Sequence, residues 1–262
     1  MTPIILRVNA DDFGIDENRT RAILESFRRG AISQTTAMVN MPYFKEAEEM
    51  IRTEGLLDRM GLHLNLTEGP AMTSSMRNCN FFCDKSGCFT GAFHRIVRYR
   101  FKLPDGLQSV VREEIESQVG RFLSTGSTFL HLDSHHHVHT DYSIARILLP
   151  IVRKNGFSSI RLSRNWGDDI SLSKRIYKNA LNKYLKSEIK GLTDFFTDFS
   201  GLRNGINRFP SGSSVEVMVH PMLGDKEHLD LDGELTDGGR LISEEMAFYK
   251  ANWKVFNFTG GI

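Results

Sequence analysis

Short apolar runs alternate with longer stretches of helical periodicity along almost the whole chain. Ile4 to Asn9 reads as a buried strand, and a helix follows from about Asp16 to Arg29, where Ala22, Ile23 and Phe27 recur near helical spacing. Gly30 supplies its stop. Thr35 to Asn40 is a β-branched second strand, Pro42 opens a helix over Phe44 to Arg52, and Met60 to Leu66 is a third strand. After a break the rhythm resumes with a helix at Leu107–Leu123, a strand at Phe129–His135, a helix at Tyr142–Lys154 and a strand at Ser159–Ser163. A helical stretch over Ser171–Glu188, strands at Phe195–Phe199 and Val215–His220, a helix at Glu244–Trp253 and a last strand at Val255–Phe258 complete the pattern.

Seven to eight strand–helix units predict an α/β fold of the (β/α) barrel type rather than a sandwich or a bundle. An open doubly wound sheet is the rival. The first strand, however, leads into Ala10-Asp11-Asp12-Phe13-Gly14 and not into a Gly-x-Gly-x-x-Gly cradle. We expect one domain over 1–262, interrupted after the third strand by an insertion over about 67–105. That stretch lacks clean periodicity and is too long for an ordinary connection, so it reads as a lid over a site.

Composition narrows the class of partner. The 262 residues carry 33 Lys plus Arg against 32 Asp plus Glu, which gives no bulk electrostatic reason to bind nucleic acid or an anionic membrane. No apolar run approaches the roughly 20 residues of a membrane span. The start of the chain lacks the features of a signal peptide, and the expectation is a reduced, cytoplasmic protein. Cys79, Cys83 and Cys88 are spaced C-x3-C-x4-C, which fits neither paired zinc knuckles nor a radical iron–sulfur motif.

Candidate chemistry concentrates in His131-Leu132-Asp133-Ser134-His135-His136-His137-Val138-His139. On a strand His131, Asp133 and His135 share one face, and an imidazole–carboxylate face is a poor core because each buried polar group needs a partner. Such a cluster binds metal or does acid–base work, and His135 falls where a barrel strand should end. Asp11-Asp12 closes the first strand, where adjacent acids call for a nearby cation or complement the following helix dipole. His63 shares a strand face with Asn65; alone it reads as a hydrogen-bonded core histidine, but the other two sites reverse that reading. One carboxylate and two imidazoles, Asp12, His63 and His135, form a hydrolytic metal site assembled from separate strand ends. His220 leaves a late strand in the position of a general acid, and Arg161, inward in a strand, wants a carboxylate such as Asp11.

At these residues the chain resembles the YdjC-like (ChbG-type) carbohydrate deacetylases. The resemblance runs through Val8–Gly14, Thr35–Asn40, Gly61–Thr67, His131–His139 and Glu216–Pro221 in family order. It implies a distorted (β/α) barrel that removes acetyl groups from N-acetylated sugars such as chito-oligosaccharides, acting as a homodimer on an acetylated oligosaccharide substrate. By that resemblance Asp12, His63 and His135 are ligands of one divalent metal ion, with magnesium the family's usual assignment. Asp11 is the catalytic base, His220 an acid or substrate contact, and Arg161 the partner of the base. The donor set itself favours zinc or another transition ion over Mg2+.

Two other functions compete. A metal-dependent phosphoesterase or amidohydrolase is one, because His137-Val138-His139 is a His-x-His of the kind such barrels carry. A non-catalytic sugar-binding barrel is the other, although a mere binder has no need of the second acid in Asp11-Asp12. The aromatics Phe81, Phe82, Phe89 and Phe93 suit either a sugar-stacking lid or a core for the insertion.

Overall fold

A computed structural model of the chain describes residues 4–167, 170–223, 229–230 and 254–255. Its centre is a parallel sheet whose strands run in the order β5-β4-β3-β2-β1-β7-β6. These are β1 (Ile5–Phe13), β2 (Gln34–Ala37), β3 (Met60–Leu64), β4 (His131–Ser134), β5 (Ser159–Ile160), β6 (Phe195–Asp198) and β7 (Ser214–Val219). A further strand, β10 (Lys254–Val255), pairs with the start of β1, below the point where β2 joins it. Helices α1 (Glu17–Arg28), α2 (Phe44–Thr53), α5 (Leu107–Leu123), α6 (Tyr142–Lys154), α7 (Leu172–Glu188) and α8 (Phe199–Gly205) connect the strands. The small strands β8 (Met222–Leu223) and β9 (Leu229–Asp230) form a separate antiparallel pair. The predicted helix at Glu244–Trp253 lies outside the described residues, as does the rest of the last predicted strand beyond Val255.

The sheet curls until its edges meet, and Asn165, beside the Arg164–Asp198 ion pair, helps join them. Asn165 donates its backbone N–H to the Phe196 carbonyl (3.3 Å), its Oδ1 accepts the Phe196 N–H (2.9 Å), and its Nδ2 donates to the Asp194 carbonyl (3.0 Å). The result is a distorted barrel with a seam between β5 and β6.

The two faces of the sheet differ sharply. Leu6, Val8, Ala10, Leu62, Leu132, Ile160, Val215, Val217 and Val219 are buried and join the hydrophobic core beneath the helices. The alternate positions Asn9, Asp11, His63, His131, Asp133, Arg161 and Glu216 are buried and polar. A period of two on a strand separates these sets automatically. The barrel interior is therefore a hydrogen-bonded ionic network, while the apolar core lies outside the ring.

Local signals account for the helices. Asp16 caps α1 by accepting the Arg19 N–H at 2.8 Å, and Gly30, at φ 63°, ends the turn after it. Several predicted strands end early. β3 stops at Leu64 because the Asn65 side chain folds back to accept the backbone N–H groups of Thr67 and Glu68. β4 stops at Ser134, and His135 opens a turn in which His136 and His137 adopt left-handed φ values of 51° and 56°.

Residues 65–106 carry only two short helices, α3 (Ser74–Arg77) and α4 (Val97–Phe101), a short 3-10 turn and isolated bridges. This segment is pinned to α5 by Glu114, whose buried carboxylate accepts the N–H groups of Met72 (3.0 Å) and Thr73 (2.9 Å). Phe82, Phe89 and Phe93 are buried, and Phe82 packs edge-on against both Phe81 and Phe93. These rings are the insertion's own core, which overturns sugar stacking for the three buried ones. The cysteines are free thiols, and none joins a metal-binding cluster among the described residues.

Strand spacing leaves no room at Gly61. An added Cβ would stand 2.7 Å from the His131 carbonyl oxygen and 3.2 Å from Thr36 Cγ2. Gly61→Ala should therefore cost about 1–3 kcal/mol, read as a lower urea midpoint at unchanged slope. An unchanged midpoint would mean that β3 and β4 part without penalty.

Candidate active site

The site starts with a break in β1. Its pairing with β2 shifts register between Ala10 and Phe13, and Asp12 sits at φ 66°. In a regular strand Asp11 and Asp12 would point to opposite faces. The bulge re-aims them, so Asp11 turns into the barrel and Asp12 towards the strand ends. A left-handed aspartate is a strained conformation of the kind that collects at functional sites.

Asp11 meets Arg161. The guanidinium forks onto it, Nη1 to Oδ2 at 2.6 Å and Nη2 to Oδ1 at 2.7 Å. Nη2 also reaches Asp133 Oδ2 (2.7 Å), and Nε donates to Glu216 Oε1 (2.5 Å). Arg161 is fully buried, with its Cζ 4.8 Å from the centre of the Phe196 ring. Burial alone would lift the Asp11 pKa, but Arg161 outweighs it and holds the carboxyl below its ordinary value. For Glu216 burial prevails over Arg161, and its pKa is raised. Asn9 completes the group by donating Nδ2 to Asp11 Oδ1 at 2.7 Å.

Asp12 meets two imidazoles. Its Oδ1 lies 3.1 Å from His63 Nε2 and 2.8 Å from His135 Nδ1. The other nitrogen of His63, Nδ1, donates to Asp133 Oδ1 at 2.6 Å, across the His63–Asp133 register pair of β3 and β4. Burial would depress the His63 pKa, yet Asp133 and Asp12 more than offset it and hold it at about 10. Asp12 is driven well below its ordinary value by the same two histidines, against the effect of burial. Asp12, His63 and His135 bring their ligand atoms close enough together to hold a metal ion. The donor chemistry fits a cation: Asp133 commits His63 Nδ1 as a donor and leaves Nε2 to face Asp12, the arrangement metal-ligating histidines show.

His220 follows the last residue of β7. One step past the Ala10–Val219 register pair, it is level with Asp11 and close enough for its charge to lower that carboxyl further. The six expected residues thus fall into one neighbourhood: Asp12, His63 and His135 in one cluster, Asp11 with Arg161 in a second, and His220 beside it.

Three participants were not assigned a role from the sequence. Asp133 orients His63, Glu216 holds the far side of Arg161, and Glu68 Oε2 lies 2.9 Å from His135 Nε2. Two left signals: Asp133 alternates with histidines, and Glu216 interrupts an apolar strand. His137 Nδ1 is buried with no hydrogen-bond partner among the described residues, and burial pushes this histidine down to about 3. His139 is structural, taking the Ser134 hydroxyl on Nδ1 (2.5 Å) and donating Nε2–H to the Arg161 carbonyl (3.1 Å).

Replacing Arg161 by methionine would keep its bulk and strand three buried acids. Arg161→Met should lose about 3–5 kcal/mol of stability near pH 7. Asp11, held low in the wild type, contributes stability above its unfolded pKa that is lost as pH falls. In the variant the desolvated acids take up protons instead, so the gap between the two proteins should narrow from pH 7 to pH 5. Denaturant titrations at both pH values would read this, and a constant gap would contradict it.

The YdjC-like protein family matches residues 5–250. A carbohydrate deacetylase of Clostridium beijerinckii is 28% identical over 224 residues, covering 82% of this chain and 80% of that protein. One from Thermoanaerobacter pseudethanolicus is 26% identical over 235 residues, or 86% and 84%. One from Vibrio cholerae is 35% identical over 146 residues, which is 56% of this chain and 54% of the relative. A solved structure from Enterococcus faecalis V583, described as a cellobiose-phosphate cleavage protein, superimposes with a TM-score of 0.65 at 24% identity, covering 86% and 83% of the two chains. That likeness speaks for the fold. Taken with the match across nearly all of its length, the chain belongs to the YdjC-like family.

Proposed function

We propose that this protein is a metal-dependent hydrolase that removes N-acetyl groups from acetylated sugars of the chito-oligosaccharide type. Relatives named carbohydrate deacetylase support the sugar and the reaction. The observation that carries the site is His63, held at Nδ1 by Asp133 and turned at Nε2 towards Asp12 and His135. In this reading Asp12, His63 and His135 hold one divalent cation.

A cation bound there supplies Lewis acidity, lowering the pKa of a water and polarising the acetyl carbonyl. Asp11, kept ionised by Arg161, would receive the proton of the attacking water. A carboxylate held this low is a weak base, so it suits only a water that is already acidified. Arg161 fixes the plane of Asp11 through its fork, and Glu216 fixes Arg161. His220, level with Asp11 on β7, protonates the leaving sugar nitrogen, without which an amide departs very poorly. Magnesium is the cation the family resemblance suggests, whereas two imidazoles and one carboxylate favour zinc or another transition ion. The insertion over about 67–105 caps the site; Thr67 and His94 reach the His136 ring, and Glu68 reaches His135. Homodimerisation rests on the family resemblance, and a cytoplasmic location on the reading of the cysteines as reduced. Among the described residues no helix is long and apolar enough to cross a membrane.

The phosphoesterase reading needs His137 and His139 as a metal-binding pair. Both nitrogens of His139 are engaged, Nδ1 with Ser134 at the end of β4 and Nε2 with the Arg161 carbonyl just past β5, which weighs against it.

Acetate release from N,N′-diacetylchitobiose by metal-stripped protein should return when zinc or magnesium is restored, and His135→Ala should lose it. Asp11→Asn should lower turnover by roughly 100-fold or more while cation binding persists. Release in the absence of any divalent ion would sink the metal mechanism. Near wild-type rates in Asp11→Asn would sink the base.

A further inference from the structure

His135 is placed between two carboxylates, and only one of its nitrogens can face a cation. Nδ1 lies 2.8 Å from Asp12 Oδ1, and Nε2 lies 2.9 Å from Glu68 Oε2. We infer that Glu68 is the positioning residue of His135: it accepts the Nε2–H and thereby leaves Nδ1 as the ligand atom beside Asp12. The inference rests on the metal-site reading above.

The surroundings of Glu68 support this assignment. Its backbone is held by two asparagines buried under the turn. Asn65 Oδ1 accepts the N–H of Thr67 (3.0 Å) and of Glu68 (3.1 Å), and its Nδ2 donates to the Glu68 carbonyl (2.6 Å). Asn40 Nδ2 donates to the Pro70 carbonyl at 2.9 Å. Between them Gly69 takes φ 68°, and a Cβ there would come within 2.6 Å of Met41 Sδ. Such a turn keeps few conformations, so the Glu68 side chain springs from a fixed point. Asn65 is itself set by Gln118 of α5, which accepts the Asn65 N–H (3.0 Å) and donates to its carbonyl (2.7 Å).

The two imidazoles are then oriented by matching means from opposite sides. Asp133 holds His63 from inside the barrel, where it is wholly buried. Glu68 holds His135 from the rim, with its side chain 51% exposed. Water screens much of the Glu68 charge, so its effect is exerted chiefly through the orientation and proton position of the ring. The first residues of the insertion thus belong to the metal centre, and the rest of the insertion is carried beside it.

Binding of zinc(II) and cobalt(II) to metal-stripped protein would test this by calorimetry and visible absorption. Glu68→Ala should bind roughly 10–100-fold more weakly than wild type. Glu68→Gln, which keeps an acceptor oxygen without the charge, should fall between them. Metal-free melting temperatures of both variants should match wild type, since the lost side chain is half in water. In the zinc-loaded wild type, 15N shifts should place the metal on His135 Nδ1 and the proton on Nε2. Glu68→Ala binding as tightly as wild type, or zinc on Nε2, would overturn the inference and leave the metal site standing. A wild type that binds neither ion would overturn the metal-site reading and this inference together.

Discussion

One buried guanidinium organises the interior of this barrel. Among the described residues Arg161 carries the one charge that touches Asp11, Asp133 and Glu216 together, groups contributed by β1, β4 and β7. Each acid taken from water alone would cost several kcal/mol, and each is tolerable only because a rigid planar cation satisfies it with directed hydrogen bonds. The same contacts join strands on opposite sides of the ring. Lysine could balance the charge but could not present a fork, so the geometry as well as the sign of Arg161 is required. Around it His131 stays neutral, pushed by burial down to about 3, with its Nδ1 turned to Ser159.

The active-site groups inherit their precision from this network. Asp133 is shared: Oδ2 meets Arg161, while Oδ1 accepts the hydrogen bond from His63 Nδ1. Any movement of the guanidinium therefore reaches both candidate clusters, the base through Asp11 and the cation site through His63. The β1 bulge supplies the remaining geometry, since without it neighbouring aspartates could not serve two clusters on one side of the sheet. At Asp12, in its left-handed conformation, His63 and His135 converge on the carboxylate.

Much of this was legible in the sequence, and the reasons for the rest are physical. Strand–helix alternation and the placing of Asp12, His63 and His135 at strand ends follow from periodicity and from the cost of burying polar groups. The demand of Arg161 for a carboxylate follows from the same cost. The bulge at Asp11–Asp12 leaves no local signature, because an aspartate enters the left-handed region only when its neighbours require it. Glu216 looked like an interruption of an apolar strand, and its purpose depends on Arg161, 55 residues away. Glu68 sits in a turn built by Asn65 and Asn40, and its contact with His135 spans 67 residues. The shortness of β4 reflects two successive histidines in left-handed conformation, which no propensity for histidine would suggest.

The seam at Asn165 has a consequence for how this molecule breathes. Most neighbouring strands of the ring are joined by ladders of repeated backbone bonds, which open only cooperatively. Between β5 and β6 the described closure is a short clasp just beyond Arg161: the bonds of Asn165, the Arg164–Asp198 ion pair and the Thr197 hydroxyl on the Trp166 carbonyl. Releasing a clasp costs far less than unzipping a ladder, so the least costly excursion of the barrel is a crack along this line. Such a crack would admit water towards the side of the ring where the guanidinium lies. Amide protons of β6 should exchange before those of β1, and the ionic interior would be wetted from its flank while the strand ends stay assembled.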